Sequence, residues 1–167
     1  MAERDFGKAV ELAGFFLAHA VWSIHEGGPL VPLVAFENAQ GRNMVRFAAE
    51  DSRQGVMAAQ QFLTANEPSA THAVMVCDAF VTYGDVRKDT LIASVVAYGE
   101  PEQSLTIGIP YTPSTEAAPF AVHRPKFLEQ VGLGEEDLDG LGEALFRGVD
   151  AHEQAGPIWN AALDQSF

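Results

Sequence analysis

A histidine and an aspartate sit six residues apart in one of the most apolar stretches of the chain. Residues 71–83 read Thr-His-Ala-Val-Met-Val-Cys-Asp-Ala-Phe-Val-Thr-Tyr. As a strand, this run puts His72 and Asp78 on the same side, roughly 20 Å apart, too far to touch. Asp78 interrupts the apolar series Val74, Val76, Phe80. A buried carboxylate without a partner has its pKa raised, which is one way a general acid or base is made. The competing reading is structural: a neighbour donates hydrogen bonds to Asp78, or the strand emerges into solvent there. Cys77 falls on the opposite side, among Met75, Ala79 and Val81. With no histidine or helix start beside it to lower its pKa, it reads as a small buried hydrophobe.

Tyr83, Tyr98 and Tyr111 fall at the ends of apolar runs, and a Pro-, Ser- and Thr-rich stretch holding His123 follows the last of them. Strand ends and loops are where ligand sites are usually built. The candidate ligand-binding set is therefore His72, Asp78, Tyr83 and His123, with sheet-end packing of the tyrosines as the alternative. The five histidines, at 19, 25, 72, 123 and 152, show no metal-ligand spacing. No metal and no cofactor is expected. Phosphate-loop, dinucleotide-fold, nucleophile-elbow, Cys-x-x-Cys and His-Glu-x-x-His signatures are all missing. This excludes the motif-bearing members of those classes, but not a site assembled from scattered residues.

These residues must be positioned by helices and strands that the pattern also predicts. Phe6, Val10, Ala13, Leu17, Val21 and Ile24 recur every three or four residues and predict a helix over residues 3–25. A second stripe, Leu12, Phe15, His19 and Trp22, runs beside the first. A helix apolar on two sides is either sandwiched inside its own domain or meets another subunit. That makes Leu12, Phe15, His19 and Trp22 a candidate interface. Residues 12–24 carry no Asp, Glu, Lys or Arg, but the stretch is too short to span a bilayer, which takes about 20 apolar residues. The residues before it are mixed in charge rather than basic, so a buried first helix is expected in preference to a signal peptide.

Two strands, 30–36 and 43–49, form a predicted hairpin about Asn38-Ala39-Gln40-Gly41, with Pro32 marking a sheet edge or a late start to pairing. A second helix is expected from an N-cap at Asp51 or Ser52 to about Asn66. Strand 71–83 is apolar on both faces and so reads as central and covered on both sides. A polar loop is expected over 84–89, strands over 90–98 and 104–111, and a loop over 112–125 with a short strand at 120–123. A helix over 135–149 follows, weakened by Gly140, Gly142 and Gly148. Short connections predict an α+β fold in a single domain. The expected sheet is mainly antiparallel, with five or six strands and helices on one face, in the order α-β-β-α-β-β-β followed by a C-terminal helix.

Composition sets the outer limits. Of 167 residues, 47% are hydrophobic and 20% charged, which is globular rather than disordered. The formal charge is −13, from 23 acidic against 10 basic residues. Such a surface repels phosphate backbones and anionic lipid, so neither nucleic acid nor membrane is an expected partner. One cysteine allows no intrachain disulfide, which fits a cytoplasmic protein. Taken together, the residues predict a non-catalytic accessory or interaction protein acting as a homodimer. The alternative is a small-molecule-binding protein or enzyme with its site near Asp78 and the 112–125 loop.

Overall fold

The computed structural model describes residues 5–167. The fold is α+β: helices α1 (Phe6–Ile24) and α2 (Ser52–Ala65) are set among the strands, and α3 (Glu135–Leu138), α4 (Leu141–Ala151) and α5 (Ala155–Ala162) follow them. The strands are β1 (Leu33–Asn38), β2 (Gly41–Arg46), β3 (His72–Tyr83), β4 (Val86–Ala97), β5 (Gln103–Thr112), β6 (Ala121–Val122) and β7 (Lys126–Val131). They form one antiparallel sheet in the order β2-β1-β3-β4-β5, and β6 and β7 share the far edge along β5. The two residues predicted to start the first helix before Phe6 that fall at 3 and 4 lie outside the described residues.

Alternation along the strands decides which element covers which face. Leu33 and Ala35 of β1, Val74 and Val76 of β3, Leu91, Ala93 and Val95 of β4, and Leu105, Ile107 and Ile109 of β5 join α1, α4 and α5 in one core. Val34, Phe36, Ala73, Met75 and Cys77 point the other way and meet Ala59 and Leu63 of α2. Three helices thus gather on one face, and α2 lies on the other. This is why residues 72–77 of β3 are buried on both sides.

Helix α1 sits between the sheet and the C-terminal helices. Twelve of its 19 residues are buried. The approach of α4 is made by glycines: a Cβ built on Gly14 would stand 1.9 Å from the carbonyl oxygen of Leu145, and one on Gly148 would stand 1.9 Å from that of Glu11. Only hydrogen at these two positions lets the backbones come so close. Gly148, which weakens the helix by propensity, is therefore a contact point rather than a flaw. Trp159 of α5 is fully buried in the same layer.

The predicted helix 135–149 is two helices, because Gly140 takes the left-handed conformation, φ 77°, between them. The predicted loop 84–89 is mostly strand. Gly84, φ 62°, and Asp85 turn the chain in two residues, and Val86 pairs directly with Tyr83. Residues 87–89 are polar because the hairpin tip projects past the core, so polarity there marks exposure, not a loop.

Candidate functional site

Strand β1 accompanies β3 only from His72 to Val76. Among the described residues, β3 over 77–83 has β4 on one side and no strand on the other. The chain enters β1 at Leu33, and Pro32 just before it gives its carbonyl to the Phe47 amide at 2.8 Å, toward the end of β2 rather than toward β3. The space left beside β3 is a cleft of about 660 Å³ between the 29–32 segment, the start of α2 and the middle of β3. Pro29, Leu30, Pro32, Val56, Met57 and Cys77 give it apolar walls, with Ser52, Arg53 and Asp78 as the polar groups.

Asp78 belongs to this mouth and is exposed as a residue. The Tyr111 hydroxyl lies 2.8 Å from each of its carboxylate oxygens and donates to the carboxylate. Burial of the carboxylate raises its pKa, the nearby Asp89 adds to the rise, and the Tyr111 hydrogen bond opposes it. The Tyr111 hydroxyl is itself pushed far up, first by burial and then by Asp78, so it stays a neutral donor. Cys77 is buried and its thiol is pushed up to about 11 by burial, with the Asp78 charge adding to it. A thiol this weakly acidic supplies no thiolate at neutral pH.

Tyr83 and His123 do come together, but as packing around the end of the chain. Lys88 donates to the Thr112 hydroxyl at 2.9 Å, and that hydroxyl donates to Nε2 of His123 at 2.9 Å. Nδ1 of His123 then donates to the Asp164 carbonyl at 3.1 Å. The Tyr83 hydroxyl is 3.1 Å from that of Thr90, which in turn donates to the Lys88 carbonyl. The Phe167 ring lies 5.5 Å from the Tyr83 ring and 5.6 Å from His123. Each of these side chains has a partner within the network, which holds residues 164–167 against the sheet. By strand alternation Tyr83 faces away from Asp78.

His72 lies at the opposite end of β3. It is buried, with Nδ1 3.1 Å from the Thr71 hydroxyl and Nε2 3.1 Å from Glu37, off the line of a good hydrogen bond. Arg42 holds the same Glu37 at 2.8 Å. Burial lowers the His72 pKa, and Glu37 offsets part of that. Of the four candidate residues, the structure thus places Asp78 on the cleft, Tyr83 and His123 in a second cluster, and His72 in neither.

The second stripe of α1 is largely covered by its own chain. Leu12 is fully buried. Phe15 is half-buried, its ring 4.8 Å from that of His152 and 5.1 Å below the Arg42 guanidinium. His19 lies between Arg46 and His152, and Trp22 remains 42% exposed. Arg46 and His152 were not among the sequence candidates. His152 caps α4 and is 133 residues from His19, a separation that carries no sequence signal.

Among the described residues no group of three or more His, Cys, Asp or Glu is placed to hold a metal ion, and no helix is long and apolar enough to cross a membrane. The chain matches no protein-family model, and neither a curated protein nor a solved structure matches it.

Proposed function

We propose that the protein is a non-catalytic binding module that takes an extended, apolar segment of a partner protein along the open edge of β3. The observation that carries this reading is that, among the described residues, no strand pairs with β3 over 77–83 on the side of the apolar cleft. An extended segment added there continues the position of β1 and gains main-chain hydrogen bonds, while its alternate side chains enter the cleft. Each such bond contributes about 1 kcal/mol net. Phe80, 59% exposed on the same stretch, adds apolar area. Asp78 at the mouth, in a chain of net charge −13, favours a segment that also carries a lysine or arginine. Chemistry is not required of the site: the Cys77 thiol is protonated, and Tyr111 already occupies the Asp78 carboxylate.

Calorimetric titration with a synthetic valine-rich peptide carrying one lysine tests the reading. Binding is expected to weaken about tenfold or more, a loss of about 1.4 kcal/mol, in Val56→Asp, and to vanish for a peptide with alternate residues replaced by proline. Equal binding of the proline peptide, or no binding of any extended peptide, refutes it. Sedimentation equilibrium in parallel identifies the occupant as a second copy of the chain if Val56→Asp turns a dimer into monomers.

A further inference from the structure

Helix α2 leaves half of its side of the sheet bare. It packs mainly on β1 and β3. Beside it, Ile92 and Ser94 of β4 and Ser104 and Thr106 of β5 face the same way and are only half-buried. A groove of about 540 Å³ runs along the flank of the helix, between Met57, Gln60 and Thr64 and the strand residues Met75 and Ser94. Leu128 of β7 closes the far side: a Cβ built on Gly108 would stand 3.0 Å from its Cδ1, so the leucine lies over β5. Strands β4, β5 and β7, about 4.8 Å apart, make a trough about 10 Å wide, which is the diameter of one α-helix.

What fits the trough stands next to it. A ridge, α2, and a trough of the same length lie side by side on one face. Two copies related by a two-fold axis along the strands can therefore each lay α2 in the other's trough. The two helices then run parallel, as one layer between two sheets. Arg53, Met57, Gln60 and Thr64 recur at spacings of four, three and four along the flank, the spacing that lets two helices pack along a seam. Charge favours the same occupant. A chain of net charge −13 repels its own copy wherever carboxylates face each other. Helix α2 carries none, its one charge being Arg53, and the β4 and β5 residues facing the groove are uncharged. On the rim, Glu129 pairs with Thr106 and so faces the groove side, where it meets the helix that carries Arg53. Lys126, further along the rim, is turned to the Phe167 carbonyl at 2.9 Å.

We infer that α2 and the groove over β4 and β5 form the interface of a homodimer, each α2 lying between its own sheet and the sheet of the second copy. The helix has 14 residues and is about 21 Å long. Half the side of a cylinder of that length, about 10 Å across, is about 330 Å². Each copy gives one helix and one trough, about 660 Å² per partner before the helix–helix seam is added, against about 800 Å² in a standard interface. Met57, 58% exposed in the single chain, goes into this contact. The open edge of β3 over 77–83 lies on the side of β3 away from β4 and stays free, so the inference does not rest on the peptide reading.

Sedimentation equilibrium of the full chain at micromolar concentration tests the inference, and a dimer is expected. Ser94→Arg and Thr106→Arg put a long charged side chain on the floor of the trough. Each is expected to raise the dimer Kd about tenfold or more, with the fold kept by circular dichroism and the valine-rich peptide bound as in the parent. A short bis-maleimide is expected to join two copies through Gln60→Cys, which lies at the seam, and not through Ala58→Cys, about 200° round the same helix. Both positions are exposed and the native Cys77 is buried, so neither variant disturbs the floor and the native thiol stays out of the reaction. A monomer at micromolar concentration overturns the inference. So does a dimer unchanged in both arginine variants and lost only in Val56→Asp, or crosslinking through Ala58→Cys but not Gln60→Cys. If the peptide reading alone fails, the parent binds no peptide but still dimerises through α2.

Discussion

Replacing Gly148 by alanine should destabilise the protein, although alanine is the better helix former. In an exposed helix the exchange gains up to about 1 kcal/mol. Here the new Cβ would stand 1.9 Å from the Glu11 carbonyl oxygen and 2.8 Å from the Phe15 amide nitrogen, both backbone atoms that no rotamer change can move. Since Cβ atoms essentially never approach another heavy atom within 3.0 Å, α1 and α4 must part by about 1 Å. A gap of that size forfeits roughly a quarter to a half of each dispersion contact across the seam. Leu12 of α1 and Ala144, Leu145 and Val149 of α4 are the buried residues that lose them. Overpacking of a tight core costs about 3 kcal/mol, so the net loss is about 2 kcal/mol after the propensity gain. For a chain of this size that lowers Tm by about 4–8 °C. Gly142, in the first turn of the same helix, is the control. Among the described residues nothing lies within 4 Å of its built Cβ, and Gly142→Ala should raise Tm by a few degrees at most. Thermal and urea unfolding of the two variants give opposite signs if the crossing is as close as described. A Gly148→Ala protein as stable as the parent would refute the argument.

Two other outcomes follow from the cleft. Cys77, with its thiol near 11, should resist a disulfide exchange reagent in the folded protein at pH 7–8 and react fully in urea; rapid native-state labelling would contradict the burial. Asp78 has a folded pKa above its unfolded value, so the native state keeps its proton to higher pH. The stability this provides is complete below the ordinary carboxylate value of about 3.9 and is lost as pH rises through the raised folded value. Urea midpoints measured across that range should fall with pH at this step, and the step should be missing in Asp78→Asn; a rise instead would reverse the sign argued here.

Much of the fold is legible in the sequence because its signals are periodic. The three- and four-residue spacing in α1 gives a helix with one buried stripe and a second that is covered in part, with the sheet on one side and α4 and α5 on the other. Of the two expected N-caps it is Asp51 that caps α2, its side chain accepting from the Arg53 amide at 2.9 Å, and Asn66 ends that helix in the left-handed conformation. Strand β7 has no such signal. Its residues 127–131 are exposed on both faces, so neither alternation nor an apolar run marks them, and only pairing with β5 makes them a strand. The division of labour between α2 and the other helices is a tertiary fact: residues 73, 75 and 77 require a cover, but nothing local says which helix provides it.

The candidate site was legible in a different sense. Asp78 stands out in sequence as the charged residue that interrupts an apolar run, and it is also where the burial of β3 changes from continuous to alternating. The same residue lies just past the last β1 pair, Leu33 with Val76, and Pro32 is what ends that pairing. The interruption therefore records the loss of a neighbouring strand, with the open edge and the cleft as its consequences, rather than a carboxylate sunk in a core for acid–base work. Its partner Tyr111 is 33 residues away and meets it only through the register of β3, β4 and β5. The contact of His19 with His152 is more remote still, joining residues 133 apart in the chain. Composition and spacing fix where strands and helices run; the direction in which a hydrogen bond must point is set only when three elements meet.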